Sequence, residues 1–227
     1  MAQISVLSAG AVKPGLLKVA AAFRDETRCE AALSFATAPA IAERIGRGEK
    51  FDIVVAPPPV LDALAGAGHI VAAERIAIGR IGVGALVRMG APLPPMATIS
   101  AFKQSLLAAE SLVYNQASTG IYLAALFEHF GIAAELNAKS VRYPDFAGVL
   151  DHIRQAGDRA IGFGATAVIV ENSARGVQFA GPLPDEIQNY TSYAAAPAGR
   201  GNRAALAFLH YLSAAPARSI FNSAGIG

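Results

Sequence analysis

At 227 residues, with 53% hydrophobic and 16% charged residues, the chain can form one large domain or two small lobes and is too apolar to be disordered. A net charge of +2, with Lys and Arg scattered and no basic run interleaved with aromatics, argues against nucleic acid as a partner. The single cysteine, Cys29, excludes an intrachain disulfide, and His69, His129, His152 and His210 lack any ligand spacing, so neither metal nor other cofactor is expected.

Strand-like runs alternate with helical periodicity along the chain. Residues 4–7 read as a strand, followed by the small-residue loop Ser8, Ala9, Gly10, Ala11, Val12 and a helix over 14–24 with Leu16, Leu17, Ala20 and Phe23 on one face. Next come a strand at 31–35, a helix at 39–45 and a buried strand at 51–55, whose Ile-Val-Val run is continuous rather than alternating. Pro57, Pro58 and Pro59 break the pattern before a helix at 60–64. This order implies a parallel sheet with helices on both faces. Residues 76–87 read as a long strand leaving this first unit, and a Pro-rich loop follows.

The second unit reads as helix 99–108, strand 111–114, a strongly apolar helix 120–130 stopped by Gly131, strand 140–143, helix 146–155 and strand 160–163. A strand at 177–180 precedes a returning strand at 190–196, and helices at 202–213 and 216–224 finish the chain. The glycines of Gly79-Arg-Ile-Gly-Val-Gly84 do not open a helix and do not match a dinucleotide fingerprint, so no nucleotide is indicated. No segment is long and apolar enough to span a membrane, and the first residues enter a strand without a basic or apolar leader region. The chain as written is therefore expected in the cytoplasm, or in the periplasm if a signal segment has been trimmed.

Four loops precede helices and are candidates for binding. In the first, Ser8 to Val12 let a ligand approach the backbone, and Lys13 stands beside the unpaired amides of the following helix. In the second, Thr37 stands before Pro39 as a candidate cap. The third runs from Asn115 to Thr119 before Gly120, with Ser118 or Thr119 as caps that leave amides facing outward, and the fourth contains Tyr143 and the candidate cap Asp145. The cations nearest these loops are Lys13, Arg80, Arg88 and Arg142. Arg80 interrupts an apolar strand, where it either reaches water by its long stem or meets a partner anion. Ser8 and Ser118 have no evident His partner, and no nucleophile elbow is present, so the sequence spells out no catalytic residues.

Residues 4–16, Ser34-Phe-Ala-Thr-Ala-Pro39, the G-x-x-F-D-I-V-V run at 48–55 and Gly120-Ile-Tyr122 resemble the periplasmic molybdate-binding proteins of ABC importers, and more broadly type 2 periplasmic binding proteins. The resemblance implies an α/β fold of two lobes, each a mostly parallel sheet flanked by helices, with the ligand cleft between them and hinge closure around it. Lobe 1 is then 1–80 plus 191–227, and lobe 2 is 81–190. In that family two loop serines and a tyrosine hydroxyl hold the oxyanion. Those positions fall here on Ala11, Ala38 and the neighbourhood of Phe163 or Gly164. Losing these hydroxyl donors removes most of the recognition of a tetrahedral oxyanion. The expected ligand is instead a small organic carboxylate held by Ser8, Ala9, Gly10, Ala11, Lys13 and Thr37 from one lobe, by Ser118, Thr119, Gly120 and Tyr143 from the other, and by Arg80 near the hinge. If exported, such a protein would hand its ligand to an importer permease. The alternatives are an isomerase or lyase acting on a small organic acid, with Lys13, Tyr143 and Asp145 as acid–base candidates, and a cytosolic sensor.

Overall fold

The computed structural model describes residues 3–173, 175–199 and 202–227. In chain order it comprises β1 (Gln3–Ala9), α1 (Lys13–Thr27), β2 (Glu30–Ala36), α2 (Ala38–Gly46), β3 (Ile53–Ala56), α3 (Pro58–Gly66) and β4 (Ile76–Arg88). There follow α4 (Ile99–Ala108), β5 (Ser111–Asn115), α5 (Ser118–His129), α6 (Ala133–Asn137), β6 (Ser140–Tyr143), α7 (Phe146–Gln155), β7 (Ala160–Ala165), α8 (Thr166–Asn172) and β8 (Val177–Pro182). The chain closes with β9 (Tyr190–Pro197), α9 (Arg203–Ser213) and α10 (Ala215–Ser223). The fold is α/β, in two compact units: Met1–Ile81 with Thr191–Gly227, and Gly82–Tyr190. The chain passes from one unit to the other within β4 and again at the start of β9.

In the first unit the strands follow the order β2-β1-β3-β9. β1 runs parallel to both neighbours, in register with β2 from Gln3↔Glu30 to Ala9↔Ala36, and β9 returns antiparallel along β3. All four residues of β3 are buried, as a central strand covered on both faces requires. On α1, Leu16, Val19, Ala20 and Phe23 are buried at helical spacing, and the Phe23 ring lies 4.9 Å from that of Phe208 on α9. Leu17, expected on the same face, is instead 46% exposed, because one residue rotates the side chain about 100° off the buried stripe. Before β3, the Asp52 carboxylate accepts the Ser5 amide at 2.7 Å, the Ser5 hydroxyl at 2.8 Å and the Asn202 side-chain amide at 2.6 Å. One carboxylate thus ties β1 and β3 to the residue that opens α9, joining the two ends of the chain.

In the second unit the order is β4-β7-β5-β6, with β8 also paired to β4. β5 is parallel to β6 and β7, whereas β4 is antiparallel to β7 and β8. Side chains on β5 alternate between two cores: Leu112 and Tyr114 join Phe102, Leu123, Phe127 and Phe163, while Val113 joins Leu86, Val149 and Ile153. Two short helices, α6 and α8, were not legible in the sequence. α8 carries the run Ala-Val-Ile-Val, which favours a strand by propensity but folds as helix with Ala167 and Ile169 buried.

Candidate functional site

The first unit presents three strand-to-helix turns, and they differ in what they offer. After β1 the chain enters a 3-10 turn over Gly10–Val12 whose leading residue, Ala9, has no side-chain cap. The Gly10, Ala11 and Val12 amides therefore have no acceptor in the helix they begin. Nothing lies within 4 Å of where a Cβ on Gly10 would stand. Ser8 is fully buried, and its hydroxyl is turned back onto the Ala9 carbonyl at 3.1 Å. After β2, Thr37 takes the position before α2, yet its hydroxyl makes no capping bond, contrary to its expected role; only its carbonyl is engaged, by the Ile41 amide at 2.9 Å. Pro39 has no N–H, so in the first turn of α2 it is Ala38 and Ala40 that bring amides without an i−4 acceptor in the helix. After β3, the residues Pro57, Pro58 and Pro59 occupy the start of α3, so that turn has almost no donor to give.

Because Ser8 pairs with Phe35 and Ala9 with Ala36, the two amide-bearing turns leave the sheet side by side at the same level. Lys13 follows the first of them and opens α1. It is exposed, and its ammonium lies 5.4 Å from the centroid of the Phe35 ring. Arg80 is also exposed on β4, and its backbone exchanges hydrogen bonds with Gly227 at 2.7 and 3.1 Å. Its charge is therefore not buried in the apolar strand around it.

In the second unit, β5 ends at Asn115, whose side-chain carbonyl accepts the Ala117 amide at 3.1 Å. Ala117, not Ser118 or Thr119, holds the capping position of α5, and it supplies no side-chain bond. The sequence expectation of a hydroxyl cap is corrected accordingly: Ser118, Thr119 and Gly120 instead bring backbone amides without a helical acceptor. A Cβ on Gly120 would stand 1.7 Å from the Asn115 carbonyl oxygen, so only glycine lets α5 start this close to β5. The start of α7 is different, since Asp145 caps it by accepting the Gly148 amide at 3.2 Å. Tyr143 is half-buried at the end of β6, with its hydroxyl 3.0 Å from His152 Nδ1. Arg142 Nε donates to the fully buried Tyr114 hydroxyl at 3.2 Å, and its guanidinium covers that ring. Phe163 is wholly buried against Phe102, and a Cβ on Gly164 would stand 2.2 Å from the Phe146 ring, so neither position offers a hydroxyl. The sequence reading missed three of these partners, Phe35, Tyr114 and His152. Phe35 alone had a signal, because it lies within the Ser34–Pro39 stretch that carries the resemblance.

Among the described residues no cluster of three or more His, Cys, Asp or Glu side chains is placed to hold a metal ion. None of the described helices is long and apolar enough to cross a membrane.

The fold is thus α/β in two units, and each unit has uncapped helix starts at the carboxyl ends of parallel strands. Residues 4–227 match the bacterial extracellular solute-binding proteins, and the chain belongs to that family. It is similar to an aconitate isomerase from a Pseudomonas species, with 29% identity over 98% of this chain and 87% of that protein. Among solved structures it is similar to the Azotobacter vinelandii periplasmic molybdate-binding protein, with a TM-score of 0.81, 16% identity, and 99% and 98% of the two chains covered. It is also similar to Campylobacter jejuni PEB3 with L-phospholactate bound, with a TM-score of 0.75, 12% identity and 98% of each chain covered. At these identities the structural likenesses establish the fold alone.

Proposed function

We propose that this protein binds a small organic acid carrying more than one carboxylate, with aconitate as the first candidate. The observation that carries the reading is the pair of turns at Gly10–Val12 and Thr37–Ala40, which offer backbone amides and the Lys13 ammonium where the molybdate-binding relatives are expected to use hydroxyls. Amides at a helix start together with an ammonium suit a planar carboxylate, which forms charge-assisted bonds with both. Ala11 and Ala38 give a tetrahedral oxyanion no side-chain donor, and a site that leaves anion oxygens unpaired rejects that anion. Within the second unit, taken by itself, the uncapped start of α5 offers amides of the same kind at Ser118, Thr119 and Gly120. Arg80 adds exposed positive charge, whereas Tyr143 has its hydroxyl 3.0 Å from His152 Nδ1 and its carbonyl accepting the Gln116 amide, so it adds no donor to this reading. As a solute-binding protein it would act outside the inner membrane and pass its ligand to an importer permease.

A second reading, isomerisation of the bound acid, is favoured by the similarity to an aconitate isomerase over 98% of the chain. Both readings are tested together. Calorimetric titration with cis-aconitate, trans-aconitate, citrate, molybdate and sulfate is expected to give heat for the tricarboxylates and none for the two inorganic anions. Proton NMR of cis-aconitate with a catalytic amount of protein then reads the vinyl signal over time. Conversion to the trans isomer establishes turnover, and a static spectrum with tight binding establishes a binding protein. Binding of molybdate alone would overturn the carboxylate reading.

A further inference from the structure

Lys13 opens α1, where the helix dipole presents its positive end, so an ammonium there is unfavourable for the stability of the isolated helix. Its four-carbon stem would also lose least freedom by extending into water. Yet the ammonium is drawn over the Phe35 ring, 5.4 Å from the centroid. Phe35 stands on β2 opposite Ser8, two residues before Thr37, and is itself only half-buried, so packing of the core does not account for all of its surface. A cation unfavourable for the helix it opens is thus held by an aromatic face in the neighbourhood of two helix starts that lack side-chain caps.

We propose that Phe35 is the positioning residue of the carboxylate site, holding the Lys13 ammonium beside the amides of Gly10–Val12 and Ala38. This rests on the carboxylate reading and deepens it: the ring restricts the lysine before the ligand arrives, so less freedom is lost on binding. A face-on contact of an exposed ammonium is a modest interaction, and removing it is expected to weaken binding about three- to fivefold.

The experiment is calorimetric titration of trans-aconitate into the full chain and its Phe35→Leu, Phe35→Tyr, Lys13→Gln and Lys13→Gln/Phe35→Leu variants. It is paired with proton NMR of the Lys13 ε-methylene, which the ring shifts upfield. The expected result is a loss of the upfield shift and a three- to fivefold weaker Kd in Phe35→Leu, with both restored in Phe35→Tyr. Once Lys13 is replaced, Phe35→Leu adds nothing further. The proposal is overturned if Phe35→Leu binds as tightly as the unaltered protein, or weakens binding equally with and without Lys13. If the unaltered protein binds no tricarboxylate, the carboxylate reading falls and the positioning role falls with it. That outcome is recognised in the first titration, before any variant is compared.

Discussion

A methyl group at position 120 has no room, and that fact sets the geometry of the turn from β5 to α5. The ideal Cβ would stand 1.7 Å from the Asn115 carbonyl oxygen and 3.0 Å from the buried Tyr114 ring, neither of which can yield without moving β5. Alanine is favoured over glycine inside a helix by about 1 kcal/mol, so the sign of Gly120→Ala is decided by the overlap alone. The overlap wins: Gly120→Ala is expected to destabilise the protein by about 2–4 kcal/mol, read as a lower urea midpoint with unchanged slope. Gly10→Ala, where nothing lies within 4 Å, serves as the comparison and should leave the midpoint nearly unmoved. An unchanged midpoint in Gly120→Ala would mean that α5 does not begin against the end of β5. The two glycines look alike in the sequence, one in a small-residue loop and one at a helix start. What separates them is the distance to a backbone atom that only the folded chain brings near.

At the scale of elements, the helices divide into those whose first turn is closed by a side chain and those left open. Thr98 closes α4, Asp145 closes α7 and Asn202 closes α9, each accepting a first-turn amide. The helices after β1, β2 and β5 are left open, as are α3, α6, α8 and α10. Residue type foretold the cap at Asp145 and misled at Thr37, Ser118 and Thr119, because a hydroxyl can serve a cap or stand aside, and its rotamer is set by neighbours that the sequence does not reveal. The missing donors of Pro57, Pro58 and Pro59 were in contrast readable directly, since they follow from covalent structure. The division predicts opposite outcomes for similar substitutions. Asp145→Ala is expected to cost about 1 kcal/mol of stability, whereas Thr37→Ala removes no cap and should shift stability by less than about 0.5 kcal/mol. Thermal unfolding of the two variants side by side decides it. Equal destabilisation would mean that the Thr37 hydroxyl closes α2 after all and that its amides are less open to an anion.

On the scale of the whole chain, the order of strands and helices was legible because most strands are continuous apolar runs and most helices carry a clear 3.6-residue stripe. The ties that make a discontinuous first unit hold together were not, since they join residues far apart in sequence. Asp52 is the clearest case, with Ser5 47 positions before it and Asn202 150 positions after. Burial pushes its carboxyl up, but the hydrogen bonds from the Ser5 amide, the Asn202 side chain and the Ser5 hydroxyl outweigh that and hold it below the ordinary value of 3.8. A carboxyl depressed in the folded state contributes stability that is complete above its unfolded pKa and is lost as pH falls through the folded one. The comparison of the protein with Asp52→Asn isolates this contribution, because every other carboxylate is common to both. The difference in unfolding midpoint should be constant from about pH 7 to 5 and shrink steadily from about pH 4 downward. Asparagine keeps one acceptor oxygen but turns an amide toward donors, so the difference near neutrality should amount to about 1–2 kcal/mol. A difference that stays the same down to pH 3 would show that Asp52 is not held by its charge, and that other contacts join the chain's two ends.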